Sequence, residues 1–193
     1  MRKDVPVSQF LDSMIDRAKA DKKTIVLPEG NDIRTLKAAE AILAEGIADL
    51  IVLGDADDIT AAGCNLEGAR IVDFRTSELR EPYAEKLAEL RAAKGMTLEQ
   101  ALELMDNELY FGMMMVQCGD ADSLITGIYS NYGYLSNVAR DTVGIAPGHQ
   151  HFATMHLVMM KSGPLFLADT LINQNLKADT LVDIALLAAE KVR

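Results

Sequence analysis

Two short apolar runs separated by one amphipathic segment constrain the fold of this chain more than any other feature of its sequence. Residues 24–27 and 49–54 form the runs, and short, nearly continuous apolar runs are typical of strands buried on both faces of a parallel sheet. Between them, apolar side chains spaced for one helical face predict a helix over 33–46, with Asn31 or Asp32 as its N-cap. This order predicts a right-handed βαβ unit.

The alternation of strands and helices continues to residue 127. Because regular alternation is typical of α/β domains, we predict a three-layer αβα fold with a mainly parallel sheet. The further predicted elements are a helix at 7–20, a short helix at 55–62, a strand at 69–74, helices at 81–93, 98–105 and 109–118, and a strand at 122–127.

The pattern changes after the Gly-Ile-Ala-Pro-Gly segment at 144–148. Two apolar runs, 152–160 and 165–169, flank a turn at 161–164 and predict a β-hairpin. A final predicted helix runs to Arg193.

This change of pattern near Pro147 predicts a domain boundary. Residues 1–147 are assigned to a first α/β domain. Residues 148–193 are too few for an independent domain of ordinary size, so we interpret them as the beginning of a second α/β domain.

The charge balance excludes two large classes of partner. The chain has 193 residues, with Lys+Arg 19 against Asp+Glu 29 and a formal net charge of −10. Because nucleic acids and anionic membranes select cationic surfaces, we expect neither as a partner, whereas a local basic pocket for one phosphorylated small molecule stays compatible with this charge.

Two cysteines cannot build a disulfide framework. No apolar run approaches the roughly 18 residues of a membrane span, and no secretory signal is evident. From these observations we expect a cytoplasmic protein.

Polar segments follow three of the predicted strands, at 28–32, 54–55 and 126–133. Ligands of open α/β sheets bind beyond the carboxyl ends of the strands, so these segments are candidate binding loops. In the third, backbone N–H groups and the Ser130 hydroxyl are placed to meet an anion. The alternative is an ordinary strand-to-helix turn with Ser130 or Asn131 as the N-cap. The residue types alone favour this alternative, because no glycine-rich phosphate-binding motif is present.

The histidines and the basic residues have equally simple alternatives. His149 and His151 are spaced as a metal pair but have no acidic or cysteine partner at ligand spacing, so we predict no metal site. His156 lies on an apolar strand and is interpreted as a hydrogen-bonded core residue. For each basic residue a solvated charge is the simpler interpretation. The candidate phosphate contacts are Arg34, Arg75, Arg80, Arg91, Lys94 and Arg140.

Several of these segments occur together, in one order, along essentially the whole chain. They are residues 24–34, 46–54, 90–101, 109–116, 119–127 and 166–173. With them the chain resembles the phosphate acetyl/butyryl-transferase family. Segments 131–133, 146–148 and 163–169 are also similar to the transferase-like domain of fused malic enzymes, which is taken to sense acetyl-CoA rather than turn it over.

The resemblance implies an architecture and a reaction. The architecture is that of isocitrate and isopropylmalate dehydrogenases, two α/β domains with a cleft between them, in proteins that are commonly homodimers. The reaction is that of a phosphate acetyltransferase, an acyltransferase of acetate metabolism that moves an acetyl group from acetyl-CoA to phosphate and gives acetyl phosphate and CoA. These small molecules are the implied partners, with coenzyme A as a substrate and no cofactor. In the family an aspartate deprotonates the thiol, and serine and arginine groups stabilise the developing charge.

The family's catalytic residues lie in a C-terminal half that this chain does not contain. The resemblance therefore implies a truncated or split form whose catalytic residues are unknown and whose status as an enzyme is open. The alternative function is a non-catalytic acetyl-CoA-sensing regulatory domain of the malic-enzyme type.

For substrate binding, the resemblance implies seven positions. Arg91 matches a family arginine before the Lys-Gly-Met-Thr segment and implies contact with a coenzyme A phosphate. Asn137 stands where the family has an arginine, and Arg140, one helical turn further on, is a candidate substitute. The remaining positions are Ser130, Asn131, Tyr132 and Gly133.

Overall fold

The computed structural model describes residues 7–161 and 163–192. Contacts between residues divide the chain into two compact units, one formed by Arg17–Gly144 and the other by Met1–Asp16 with Ile145–Arg193. Residues 7–16 therefore group with the C-terminal segment, although the sequence analysis assigned them to the first domain. The limits of the two domains stay a prediction. No helix in the described ranges is long and apolar enough to cross a membrane.

A parallel four-stranded sheet forms the centre of the unit Arg17–Gly144. Its strands are β1 (Thr24–Leu27), β2 (Asp49–Leu53), β3 (Arg70–Val72) and β4 (Ser123–Leu124), in the order β3-β2-β1-β4. The α/β class and the parallel sheet are thereby confirmed. β4 is shorter than the predicted strand, because the chain turns towards Glu29 once the Ile125 N–H has bonded to the Val26 carbonyl at 3.0 Å.

Helices cover both faces of this sheet. These helices are α2 (Ile33–Glu45), α3 (Ala56–Ala61), α4 (Arg80–Arg91), α5 (Leu98–Leu104), α6 (Glu108–Cys118) and α7 (Tyr132–Thr142), with a 3-10 turn at Ala92–Lys94. Helix α1 (Val7–Ala20) precedes them in the chain, and most of it groups with the other unit. Successive side chains of a strand point to opposite faces. On one face, residues of α2 and α3 cluster with Val52, and on the other, residues of α4 to α7 cluster with Ile51. The predicted three layers are therefore present.

The helix ends follow the signals in the sequence. Asp32 is the N-cap of α2, and its carboxylate accepts the Arg34 N–H at 2.8 Å. The same helix ends at Gly46, whose φ of 66° lies in the left-handed region that favours glycine. Thr97 and Gln100 form a capping box at the start of α5.

Two glycines allow contacts that a side chain would block. A Cβ at Gly30 would lie 2.3 Å from the Leu53 carbonyl oxygen, so the turn after β1 rests directly on the end of β2. A Cβ at Gly112 would lie 2.7 Å from Cδ1 of Leu124, so α6 packs closely over β4. The first of these contacts holds the turn that carries Glu29 at the carboxyl edge of the sheet.

The C-terminal segment of the other unit is a hairpin followed by a helix, as predicted. β5 (Met155–Met160) pairs antiparallel with β6 (Gly163–Ala168), and α8 spans Ala178–Val192. The interpretation of His156 as a core residue is wrong: its side chain is exposed, because β5 is exposed along most of its length and offers no core around it.

Asp169 joins the two ends of this hairpin. Its carboxylate accepts the Thr154 N–H and hydroxyl at 2.9 and 2.6 Å, and the Asn173 N–H and side-chain amide, both at 2.7 Å. Burial alone raises the pKa of Asp169, but these hydrogen bonds outweigh it and hold the pKa below its ordinary range. Since the Thr154 N–H is bound to Asp169, the strand begins at Met155 and not at residue 152 as predicted.

Candidate functional site

The order of the strands places a crevice at the carboxyl ends of β1 and β4. The chain proceeds from β1 to β2 and β3 on one side, and then crosses to β4 on the other side of β1. In open α/β sheets, ligands bind at this point, where the strand order reverses. Two of the predicted binding loops, those after β1 and β4, meet there.

The contact between these two loops is made by Glu29, which is only 6% exposed. Its carboxylate accepts the N–H groups of Ile128 at 2.9 Å, Tyr129 at 3.2 Å and Gly127 at 3.3 Å. We call these three N–H groups the loop nest. The loop after β4 does present backbone N–H groups to an anion, as its sequence suggested, but the anion is a carboxylate of the same chain.

Asp32 makes a second connection between the same loops. It accepts from Nε and Nη2 of Arg34 at 2.9 and 2.8 Å, and from the Tyr129 hydroxyl at 2.6 Å. The Arg34 side chain, then the Tyr129 hydroxyl, hold the pKa of Asp32 well below its usual range. The Arg34 guanidinium is therefore oriented by Asp32, while its side chain stays 67% exposed.

A cavity of about 280 Å³ opens beside these loops. Its apolar wall comes from the end of β1, from α2 and from the start of the β4–α7 loop, and Arg34 and Glu29 supply its charged groups. The lining residues are Leu27, Glu29, Arg34, Thr35, Ala38, Ile125, Thr126, Gly127 and Ile128.

The predicted substrate loop continues directly from the loop nest. Asn131 is the N-cap of α7, and its side chain accepts the Tyr134 N–H at 2.9 Å. The interpretation of this loop as a strand-to-helix turn with an Asn131 cap is thus confirmed. Ser130 is half-buried, and Tyr132 is 39% exposed. Gly133 follows in the first turn of α7.

Arg91 lies in a second cavity, of about 690 Å³. Its Nη2 is 2.6 Å from Oδ1 of Asp141, and its Nη1 donates to the Arg140 carbonyl at 3.5 Å. The side chain of Arg91 is 15% exposed, and Lys94 adds a second positive charge to the lining of the cavity. Two carboxylates, Glu103 and Asp141, belong to the same lining, and Arg91 already has Asp141 as its partner.

The seven predicted substrate-binding residues therefore lie in two groups. Ser130, Asn131, Tyr132 and Gly133 are at the start of α7. Arg140 is near the end of that helix beside Arg91, and it donates from Nη2 to the side-chain oxygen of Asn137. At a rise of about 1.5 Å per residue, the two ends of α7 are roughly 15 Å apart. Arg34 lines the smaller cavity and Arg91 the larger, and Arg140 lines neither.

The paired histidines lie in the other unit, around Asp183 of α8. Nδ1 of His149 and Nδ1 of His151 are 2.6 and 3.0 Å from its two carboxylate oxygens, and the N–H groups of Gln150 and His151 donate to it. The Gln150 N–H and the His149 ring are the main causes that hold the pKa of Asp183 below its usual range, and Asp183 raises the pKa of His149. Within residues 7–161 and 163–192 no cluster is arranged to hold a metal ion.

The contacts of three of these side chains were not predicted from the sequence. Glu29 and Asp32 follow a buried strand, which is a signal for a strand-end loop but not for a contact with residues 127–129. Asp183 lies 34 residues beyond His149 on a helix face, so spacing along the chain gave no sign of their contact.

Comparison with known protein families gives one match that spans nearly the whole chain. The model of the family described as Phosphate acetyl/butaryl transferase matches residues 9–193. Among curated proteins, the phosphate acetyltransferase of Thermoanaerobacterium thermosaccharolyticum is 39% identical over 192 residues, which are 95% of this chain and 58% of the relative. That of Acetivibrio thermocellus is 38% identical over 189 residues, which are 94% of this chain and 57% of the relative.

Solved structures give the same result for the fold. The EutD phosphotransacetylase from Staphylococcus aureus has a TM-score of 0.85 at 29% identity and covers 96% of this chain. A phosphotransacetylase from Streptococcus pyogenes has a TM-score of 0.87 at 25% identity and covers 94%. The chain spans 57% of each of these structures. These comparisons give no support to the alternative of a malic-enzyme-type sensing domain, and they leave the dehydrogenase-like architecture a prediction.

Proposed function

The chain belongs to the Phosphate acetyl/butaryl transferase family, and from this premise we propose that it supplies part of a site for acyl transfer between coenzyme A and phosphate. The observation that carries the proposal is the family match over residues 9–193, together with a fold shared with phosphotransacetylases. In the reaction, the CoA thiolate attacks the carbonyl carbon of acetyl phosphate. The C–S bond forms, the bond between the carbonyl carbon and the bridging oxygen breaks, and this oxygen leaves as part of phosphate. The reverse sequence makes acetyl phosphate from acetyl-CoA.

We assign the larger cavity to coenzyme A. Coenzyme A carries several phosphate charges, and the chain as a whole repels anions with a net charge of −10. Arg91 and Lys94 bring two positive charges to the lining of a cavity of about 690 Å³, to which Glu103 and Asp141 also belong. A guanidinium presents donors in a planar fork that matches phosphate oxygens. Asp141, already 2.6 Å from Arg91, orients that fork and competes with the ligand for it.

We assign the crevice at β1 and β4 to the reacting end of the substrates. Ser130 lies immediately after the loop nest, at the carboxyl edge of the sheet, and before the Asn131 cap. A hydroxyl at this place can donate to a phosphoryl or carbonyl oxygen that gains charge during transfer. Asn137 and Arg140 lie further along α7, where Arg140 donates to the Asn137 side chain.

The remaining features of the proposal follow from the family alone. We propose that acetyl-CoA, acetyl phosphate and phosphate are small-molecule partners, with coenzyme A as a substrate and no cofactor. We propose a homodimer in the cytoplasm. We also propose that the groups that deprotonate the thiol are supplied by sequence outside the stretch shared with the relatives, because this chain spans 58% of one of them.

A direct test measures binding and turnover on the same preparation. Calorimetric titration with coenzyme A is expected to give saturable binding by this chain. An assay for acetyl-CoA formation from acetyl phosphate and CoA is expected to give a rate far below that of the Thermoanaerobacterium thermosaccharolyticum relative measured beside it. Absence of CoA binding contradicts the assignment, and turnover equal to that of the relative contradicts the proposed location of the base.

A further inference from the structure

Glu29 is a buried carboxylate whose partners are backbone N–H groups. It is 6% exposed, and within the described ranges no ion pair includes it, since the neighbouring Arg34 is bound to Asp32. A buried charge is costly unless it is compensated. Here the compensation comes from the loop nest of Gly127, Ile128 and Tyr129, with donor–acceptor distances from 2.9 to 3.3 Å.

The loop nest has the geometry of an anion-binding site. Successive backbone N–H groups that converge on one point form a concavity with partial positive charge, which binds carboxylates and phosphates. Because both oxygens of Glu29 lie in this concavity, an external anion finds no donor there. In the first helical turn beyond it, the Tyr134 N–H donates to the Asn131 side chain.

We propose that Glu29 is a positioning residue: its carboxylate is the internal anion that shapes the β4–α7 loop and excludes substrate anions from the loop nest. This inference rests on the proposed function. With the loop nest occupied, the Ser130 hydroxyl and the Arg34 guanidinium remain as side-chain groups that can meet a phosphoryl oxygen at this edge. The backbone N–H groups of residues 127–129 serve to fix the direction in which Ser130 points.

The test is chemical rescue of Glu29→Ala, followed by amide hydrogen exchange resolved at single residues. Removal of the carboxylate leaves three N–H groups without their acceptor. Hydrogen bonds to charged groups have a net value that corresponds to about a tenfold to hundredfold change. We expect exchange at Gly127, Ile128 and Tyr129 to accelerate by at least about tenfold, and added acetate to restore protection in a saturable way, because its carboxylate fits the vacated place.

Asp55→Ala is the matched control. Asp55 follows the neighbouring strand β2 and also accepts two backbone N–H groups, those of Asp57 and Asp58 at 2.8 and 3.1 Å. This variant is expected to leave exchange at residues 127–129 unchanged with or without acetate. A general loss of stability would accelerate amide exchange throughout the molecule, and acetate would not reverse it. This pattern differs from the local, acetate-reversible change that the proposed role predicts.

A second variant covers the case in which Glu29→Ala does not fold. Glu29→Gln keeps one oxygen for Ile128 and Tyr129 and places an amide against Gly127, so exchange at Gly127 is expected to rise more than at Ile128. The proposal is overturned if both variants keep wild-type protection at residues 127–129, or if acetate fails to restore protection in a folded Glu29→Ala protein. Neither the exchange rates nor the acetate rescue depends on CoA binding or turnover. Failure of the proposed function can therefore be distinguished from failure of this inference.

Discussion

The Tyr129 hydroxyl donates a 2.6 Å hydrogen bond to Oδ2 of Asp32. It thereby joins the loop after β4 to the N-cap residue of α2, which also orients Arg34. The two residues are 97 positions apart in the chain. Together with the contacts of Glu29, this bond makes the carboxyl edge of the sheet one connected network. The crevice between β1 and β4 therefore has walls whose positions depend on each other.

Acid titration tests the Asp32 part of this network. The pKa of Asp32 is lowered from an ordinary value of 3.8, first by Arg34 and then by Tyr129. A carboxyl with a lowered folded-state pKa contributes stability above its unfolded pKa and loses that contribution as pH falls through the folded pKa. We expect Asp32→Asn to reduce the free energy of unfolding near neutral pH, and to make it less dependent on pH below 3.8 than in the wild type. Equal pH dependence of the two proteins contradicts the network.

The turn after β1 is predicted to tolerate no side chain at Gly30. A Cβ there would lie 2.3 Å from the Leu53 carbonyl oxygen and 2.8 Å from Cγ1 of Val52. Overpacking of this kind costs about 1–3 kcal/mol or more, and we expect Gly30→Ala to lose at least that much free energy of unfolding in urea denaturation. The control is Gly133→Ala, where the Cβ has only an ordinary contact of 3.5 Å with Asn131.

Gly133 lies in the first turn of α7, where alanine is the better helix former by roughly 0.5–1 kcal/mol. Its replacement is therefore expected to be neutral or slightly stabilising. Similar losses of stability in the two variants would mean that the turn after β1 has room to move away from β2.

The contact between His149 and Asp183 of α8 predicts a pH dependence of stability opposite to that of Asp32. Asp183 is the main cause that raises the pKa of His149 above 6.5, so the stability from this contact is present below that value and is lost as pH rises through the raised pKa. We expect Asp183→Asn to bring the pKa of His149 back towards 6.5, as measured by NMR titration of its ring protons. Glu190→Gln is the control, with a smaller shift expected because Glu190 is 3.5 Å away, compared with 2.6 Å for Asp183.

Local features of the fold could be predicted from the sequence because their causes are local. The apolar runs gave β1 and β2, and Asp32, Thr97 and Gly46 marked helix ends through contacts within a few residues. The length of β4 could not be predicted, because the strand ends where the chain turns to a partner 98 to 100 residues away.

Less of the candidate site could be predicted from the sequence, because its contacts also join residues that are far apart in the chain. The residue types at 126–133 indicated an anion beside the loop, but its identity as Glu29 depends on the order β3-β2-β1-β4. The exposure of His156 depends on what packs against β5, which its own apolar neighbours do not reveal. Arg91 was identified by resemblance, whereas its pair with Asp141 joins residues 50 positions apart.

That pair gives a prediction for ligand affinity. Asp141 holds Nη2 of Arg91 at 2.6 Å and adds negative charge to the cavity assigned to coenzyme A. Asp141→Asn keeps the shape of the side chain and removes its charge. We expect tighter binding of coenzyme A by calorimetry, with a steeper dependence on salt because the freed guanidinium meets a phosphate. Weaker binding would mean that Asp141 serves mainly to orient Arg91.

The affinity of Arg91→Ala for coenzyme A tests the central assignment most directly. The control is Lys86→Ala, which removes a positive charge from the same helix where Lys86 pairs with Glu89 at 2.8 Å and lines none of the cavities described above. Calorimetry is expected to show binding weakened by about tenfold to a hundredfold in Arg91→Ala and unchanged in Lys86→Ala. Wild-type affinity in a folded Arg91→Ala protein, or no binding of coenzyme A by the wild type, would contradict the account.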